Sequence, residues 1–285
     1  MSERVAIIGA GKIGEALLAG LLASGKPTRD LAIVEHSAVR AAEIADEYKV
    51  LVTDLATAVE HARIVVVAVK PDGVDGVLAA LGKLEDNNDV ERVTVTLVAG
   101  IPAAKFENAL PAGSPVIRVM SNMPLLVNEA MSVLSTGRYA TAEQVQTVSA
   151  LLATVGKVMV VPENLMDAVT AISGSGPAYV FLLAETMIDA GVALGLTRAQ
   201  AAAMAKQTIR GAGVMLTDTG MTATDLRAAV TSPAGTTAAA ITELERGGVR
   251  SAMYAATAAA AGRSAQLSRR PELEGSAGND GGFRG

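Results

Sequence analysis

The chain of 285 residues carries 24 basic and 29 acidic side chains, a formal charge of −5, with no dense Lys/Arg run able to neutralise a nucleic-acid backbone. It has no cysteine, which excludes disulfides, thiolate metal sites and a Cys nucleophile, and no metal site is expected. Half the residues are apolar but only 2% are aromatic, so the core must be built from Ala, Val, Leu, Ile and Met, and no apolar run reaches the roughly 18 residues of a membrane span.

The length suits two domains, which average about 100–200 residues each. Val5-Ala6-Ile7-Ile8 is a short buried-strand pattern with no signal-peptide pattern before it, which points to the cytoplasm. Gly9-Ala10-Gly11-Lys12-Ile13-Gly14 follows at once, and a helical pattern runs from Glu15 to Leu22. Strand, glycine-rich turn and helix in this order predict dinucleotide binding: Gly9 for the tight turn, Gly11 for approach to a pyrophosphate, Gly14 for helix–strand contact.

A second strand, Leu31–Val34, ends at Glu35, 21 positions after Gly14, where an acid can take a ribose 2′-hydroxyl. His36, Ser37 and Arg40 follow, and a hydroxyl with a cation could instead hold a 2′-phosphate. The plain alternative is a solvated turn opening a helix over 41–48. Ile64–Val69 is a third strand, ending in Lys70-Pro71, and Val93–Val98 a fourth, ending in Ala99-Gly100-Ile101-Pro102. Ligands in open parallel sheets lie beyond the carboxyl ends of the strands, so both ends are candidate contacts. Val116–Met120, Met131–Leu134 and Lys157–Val161 read as further strands, with an amphipathic helix over Thr141–Val155. Strands separated by helices predict an α/β domain with a mainly parallel sheet, ending near Pro162.

From Glu163 to Leu267 the apolar residues recur at helical spacing, predicting an all-α domain. Pro177, within Ser173-Gly174-Ser175-Gly176-Pro177, is expected to kink its first helix. The helices over 197–216 and 250–267 carry apolar faces too broad for one small domain to cover, which points to burial between subunits. Leu226–Ile241 is nearly all small residues and hydroxyls. Ser232 and Pro233 suit the cap and first turn of a helix, placing the free amides of Gly235, Thr236 and Thr237 where a small carboxylate could be gripped without Arg or Lys. A capped, Ala-rich packing helix is the alternative. Residues 271–285 are Gly-rich and without periodicity, an expected disordered tail.

Four blocks together resemble the pyrroline-5-carboxylate reductases: Asp225-Leu226-Arg227-Ala228-Ala229-Val230-Thr231-Ser232-Pro233-Ala234-Gly235-Thr236-Thr237, the stretch 167–179, Ala68-Val69-Lys70-Pro71, and Leu97-Val98-Ala99-Gly100-Ile101. The resemblance covers Val5 to about Leu267. It implies a Rossmann-type domain over 1–162 and a helical dimerisation and substrate domain over 163–270, assembling as a dimer and, in some relatives, a decamer of five dimers, with an active site spanning both subunits. It implies reduction of 1-pyrroline-5-carboxylate to L-proline, the last step of proline synthesis, with NADPH as cofactor and NADH as the alternative.

By the same resemblance Glu163, Thr236 and Thr237 contact the substrate, with the Thr237 hydroxyl at the ring nitrogen as the catalytic contact, and the small-residue turn adds Ser232 and Gly235 as substrate contacts. The nucleotide contacts are Ile8, Gly9, Ala10, Gly11, Lys12, Ile13, Gly14, Glu35, His36, Ser37, Ala68, Val69, Lys70, Pro71, Leu97, Val98, Ala99 and Asn122. Three positions depart from the family pattern: Ala234 stands where Gly is usual, Met123 where Thr is usual, and Leu55 where a polar residue is common. A nucleotide-sensing protein that only assembles, or a reductase of a related cyclic imine, are the competing readings.

Overall fold

The computed structural model describes residues 4–84 and 92–268. Among them eight strands form one sheet: β1 (Arg4–Ile8), β2 (Leu31–Val34), β3 (Leu51–Val52), β4 (Ala62–Val67), β5 (Val93–Thr96), β6 (Val116–Met120), β7 (Ala130–Thr136) and β8 (Gly156–Val160), in the order β3-β2-β1-β4-β5-β6-β7-β8. Every neighbouring pair is parallel except β6 with β7. The reason lies in chain length: residues 121–129 are too few for the crossover of about a dozen residues that a parallel return needs.

Helices cover both faces of the sheet. On one lie α1 (Lys12–Ala23), α2 (Ala38–Tyr48) and, past the sheet's middle, α6 (Ala142–Ala153), which bury Leu17, Leu18, Leu21, Ile44, Val148 and Leu152 against Ile7, Ile64 and Ile117. On the other lie α3 (Leu55–Val59), α4 (Val74–Leu81) and α5 (Ala103–Ala109), which bury Val59, Leu78 and Phe106 against Val65, Val67 and Val116. Burial on both faces explains why the inner strands read as continuous apolar runs. The α6 boundary follows its sequence signal: Thr141 and Gln144 form a reciprocal capping box.

After β8 the chain is helical: α7 (Met166–Val169), a π-helical turn over Thr170–Gly174, α8 (Gly176–Ala193), α9 (Arg198–Asp218), α10 (Ala223–Ala229), α11 (Thr236–Arg246) and α12 (Val249–Ser268). The chain divides into two compact units, one of residues 4–170 with 260–268 and one of residues 171–259. Among the described residues no helix is long and apolar enough to cross a membrane. The tail expected over 271–285 lies outside the described residues.

Two expectations need correcting. Pro177 does not kink a helix; it sits in the first turn of α8, where its missing N–H removes no helical bond. The glycine-rich stretch before it ends one helix and lets another begin, and the Tyr179 hydroxyl donates to Ala171 O at 3.0 Å to fix the junction. Ser232 and Pro233 do not open a helix either. They lie in a turn, and α11 begins only at Thr236, with Gly235 as its N-cap.

In the second unit large side chains are little buried: Phe181 is 62% exposed and Tyr254 78%, with Leu182, Leu183, Met253 and Leu244 also exposed. Its packing rests on small residues, and α8 and α9 approach so closely that a Cβ at Gly191 would fall 2.9 Å from Ala201 Cβ. Gly191→Val is therefore expected to cost about 1–3 kcal/mol, read as a lower urea midpoint.

Candidate active site

In the first unit the sheet order changes direction beside β1, and the turns after β1, β4 and β5 meet at the carboxyl edge. Such an edge is where this architecture binds ligands. Ala68 N donates to Ile8 O at 2.8 Å and Leu97 N to Val67 O at 2.9 Å, so the three turns sit in register. Gly9 has φ +99°, and a Cβ there would fall 3.0 Å from Ala68 C, Ala68 O and Val69 Cγ1. At Gly14 a Cβ would fall 2.0 Å from Gly9 O, whereas at Gly11 it would enter open space. The loop is thus closed behind and open in front, and the first amides of α1, at Lys12, Ile13 and Gly14, precede the first helical bond, Glu15 N to Gly11 O. Free amides at an open helix start are the geometry that suits an anion.

Glu35 closes the loop's side. Its Oε2 accepts from Ala10 N at 2.9 Å, its Oε1 from Ser37 N at 3.0 Å, and His36 Nδ1 lies 2.9 Å from Oε1. Burial pushes this carboxyl up, but the amides of Ser37 and Ala10, with His36, outweigh burial and hold it below the ordinary carboxylate range. Ser37 caps α2, its Oγ accepting from Arg40 N at 3.4 Å. Val98 N donates to Thr96 Oγ1 at 3.2 Å, shaping the turn over 97–99. Lys70 is exposed in the turn beyond β4, just before a short 3₁₀ turn from Pro71. Asn122 is placed differently: its Oδ1 accepts from Met131 N at 3.0 Å, tying the β6–β7 connection to β7.

Glu163 belongs to this unit too. Its Oε1 accepts from Ala103 N at 2.9 Å and from Arg118 Nη1 at 3.2 Å. Arg118 is 5% exposed and occurs in the apolar strand Val116-Ile117-Arg118-Val119-Met120. Sequence reasoning missed it, although a lone Arg in a buried strand demands a partner.

In the second unit Ser232, Gly235, Thr236 and Thr237 come together on one turn and the helix it leads into. Gly235 N donates to Ser232 O at 3.1 Å, with Pro233 and Ala234 between them, and Ala234 has φ +58°. Pro at the second position and positive φ at the third are the demands of a type II turn. A Cβ at Gly235 would fall 2.4 Å from Ser232 Oγ, so a side chain there would displace that hydroxyl. The first helical bond of α11 is Ala239 N to Gly235 O at 3.2 Å, so the amides of Thr236, Thr237 and Ala238 precede it. Thr237 is half-buried and Ser232 and Thr236 are exposed. From Ala228 to Thr242 the chain has no charged residue.

A doubly wound sheet, a bare glycine cradle at its carboxyl edge and an acid closing the second strand define a nicotinamide-nucleotide oxidoreductase. Residues 4–100 match the family described as NADP oxidoreductase, coenzyme F420-dependent, and residues 163–267 match pyrroline-5-carboxylate reductase dimerisation. A pyrroline-5-carboxylate reductase of Mycobacterium tuberculosis is 50% identical over 289 residues, covering 94% of this chain and 98% of that protein. The solved structure of such a reductase from Coxiella burnetii is 30% identical, with a TM-score of 0.89 over 95% of this chain and all of that one. A Plasmodium falciparum pyrroline carboxylate reductase with NADP bound gives 0.82 at 26% identity, over 93% of this chain and 98% of that one. The chain belongs to the pyrroline-5-carboxylate reductase family.

Because left-handed backbone costs an L-residue with a Cβ about 1 kcal/mol, Ala234→Gly is expected to stabilise the protein by roughly that amount in urea unfolding. Glu35 contributes stability above its ordinary value of 4.5, and loses it as pH falls through the lowered native value. Glu35→Gln is accordingly expected to flatten the acid side of the stability–pH curve, while leaving a lower plateau at neutral pH.

Proposed function

We propose that this chain reduces 1-pyrroline-5-carboxylate to L-proline with a reduced nicotinamide nucleotide, the last step of proline synthesis. The observation that carries this reading is the uncharged turn and helix start of Ser232–Thr237, where three unbonded amides and a hydroxyl share one end. The amides of Thr236, Thr237 and Ala238, aided by the helix dipole, hold the substrate carboxylate. Thr237 Oγ1 meets the ring nitrogen, and the Ser232 hydroxyl and bare backbone of Gly235 complete the rim. The family resemblance assigns Glu163 to the substrate as well; its Oε1 accepts from Ala103 N and Arg118 Nη1.

The nucleotide is held by Ile8–Gly14, Glu35–Ser37, Ala68–Pro71, Leu97–Ala99 and Asn122. When bound, its reduced nicotinamide supplies the hydride that reaches the imine carbon. The imine nitrogen is basic enough to arrive protonated, which makes that carbon electrophilic, so the protein's task is mainly to orient reactants and exclude water. Thr237 fixes the nitrogen, and no strong general acid is required of the chain. NADPH follows from the family resemblance, whereas Glu35 at the end of β2 favours NADH.

The exposed apolar faces around Phe181, Leu182 and Leu183 support self-association as a dimer, with a decamer of five dimers as the larger assembly. We place the enzyme in the cytoplasm.

Loss of reduced-nicotinamide absorbance with pyrroline-5-carboxylate, and none with 2-keto or 2-hydroxy acids, is the expected result. Faster turnover of six-membered imines would shift the substrate, and no turnover of any imine would leave a nucleotide-sensing protein. Thr237→Ala is expected to lower kcat/KM roughly 10–100-fold, as loss of a hydrogen bond to a charged group does. A single-turnover rate and substrate affinity unchanged in that variant would remove Thr237 from the mechanism.

A further inference from the structure

The β2–α2 turn gathers more carboxylate than cation. Two acids, Glu15 and Glu43, hold the single guanidinium of Arg40, while a third, Glu35 at the end of β2, lies against His36. Each Arg40 nitrogen has an acceptor: Nε donates to Ala10 O at 3.2 Å, Nη1 to Glu43 Oε2 at 2.9 Å, and Nη2 pairs with Glu15 Oε2. The bond to Glu43, above all, raises the pKa of Arg40. Glu15 is itself anchored, taking the Tyr48 hydroxyl at 3.3 Å on Oε1, while burial and the Glu15 charge push that phenol up to about 12 and keep it a neutral donor. Ser37, the other group suited to a phosphate, has its N–H on Glu35 Oε1 at 3.0 Å.

We infer that Glu15 and Glu43, by holding Arg40, make this chain select NADH over NADPH. The inference rests on the nucleotide site proposed above. A ribose carrying free hydroxyls needs an acceptor beside it, and Glu35 at the end of β2 is one. A 2′-phosphate brings up to two negative charges to the same place. It must then lie against the Glu35 anion and draw Arg40 away from Glu15 or Glu43, leaving a carboxylate without its cation. Glu15 thus acts as a specificity determinant from the first turn of α1, without touching the nucleotide. This departs from the NADPH implied by the family resemblance.

Titration of NADH and NADPH into the full-length protein, read by reduced-nicotinamide fluorescence without substrate, measures the preference apart from turnover. NADH is expected to bind about tenfold or more tightly than NADPH. In Glu15→Gln/Glu43→Gln the guanidinium is released, and NADPH affinity is expected to rise about tenfold while NADH affinity stays within about twofold. A thermal melt checks the fold, and the single variant Glu43→Gln, at a half-exposed side chain, gives the same direction of change if the double variant is unstable. Tighter NADPH binding by the wild type, or a ratio unmoved in both variants, overturns the inference. Binding of neither nucleotide overturns the nucleotide site itself, and the inference with it.

Discussion

The first unit depends on how little room is left behind the Gly9–Gly14 loop. A Cβ at Gly14 would fall 2.0 Å from Gly9 O, and one at Gly9 would strike the backbone of Ala68. At Gly14 no rearrangement of a flexible side chain relieves the clash, because the obstacle is backbone, and at Gly9 the φ of +99° adds its own demand for glycine. With both positions bare, the start of α1 packs against the turns that follow β1 and β4. The consequence in front of the loop is chemical: unpaired amides at a helix start face the open side.

Polar ties then fix the edge that this packing creates. Glu35 bonds to Ala10 on the glycine loop and to Ser37 on the next turn, so one carboxylate braces two loops. Glu163 does the same between Arg118 on β6 and the start of α5. Arg118 removes a charge from water, which costs far more than an exposed pair returns unless a partner and good geometry await it. A cation is retained in an otherwise apolar strand because Glu163 sits at its end.

The second unit works by the opposite economy of charge. Between Ala228 and Thr242 no ionisable side chain occurs, and the turn before α11 relies on backbone groups, Gly235 and a strained Ala234. A small anion can be held there by amides alone, without a buried countercharge whose desolvation must be repaid. The same preference for small residues lets α8 and α9 touch closely, while Phe181 and Tyr254 stay outside. A helix pair with so much apolar surface uncovered is built to be completed by another surface.

Periodicity and glycine spacing determined much of this from the chain alone: the strands at Val5–Ile8, Leu31–Val34 and Val116–Met120, the glycine turn of Gly9–Gly14, the helix over 141–155 and the helical texture after Glu163. Those features are local, governed by sterics and burial repeating over a few residues. Leu51–Val52 and the short helices α3 to α5 offered too few residues for a period to emerge. The antiparallel turn into β7 was decided by how few residues join it to β6. The start of α11 at Thr236 was hidden because Ser-Pro suits a turn as well as a helix cap, and only the path of the chain chooses between them. The partners of Arg118 and Arg40 were equally beyond the sequence. Glu163 lies 45 positions from Arg118, and Glu15 comes 25 positions before Arg40. A charge is visible in a sequence, but what neutralises it depends on which distant elements the fold brings within hydrogen-bond reach.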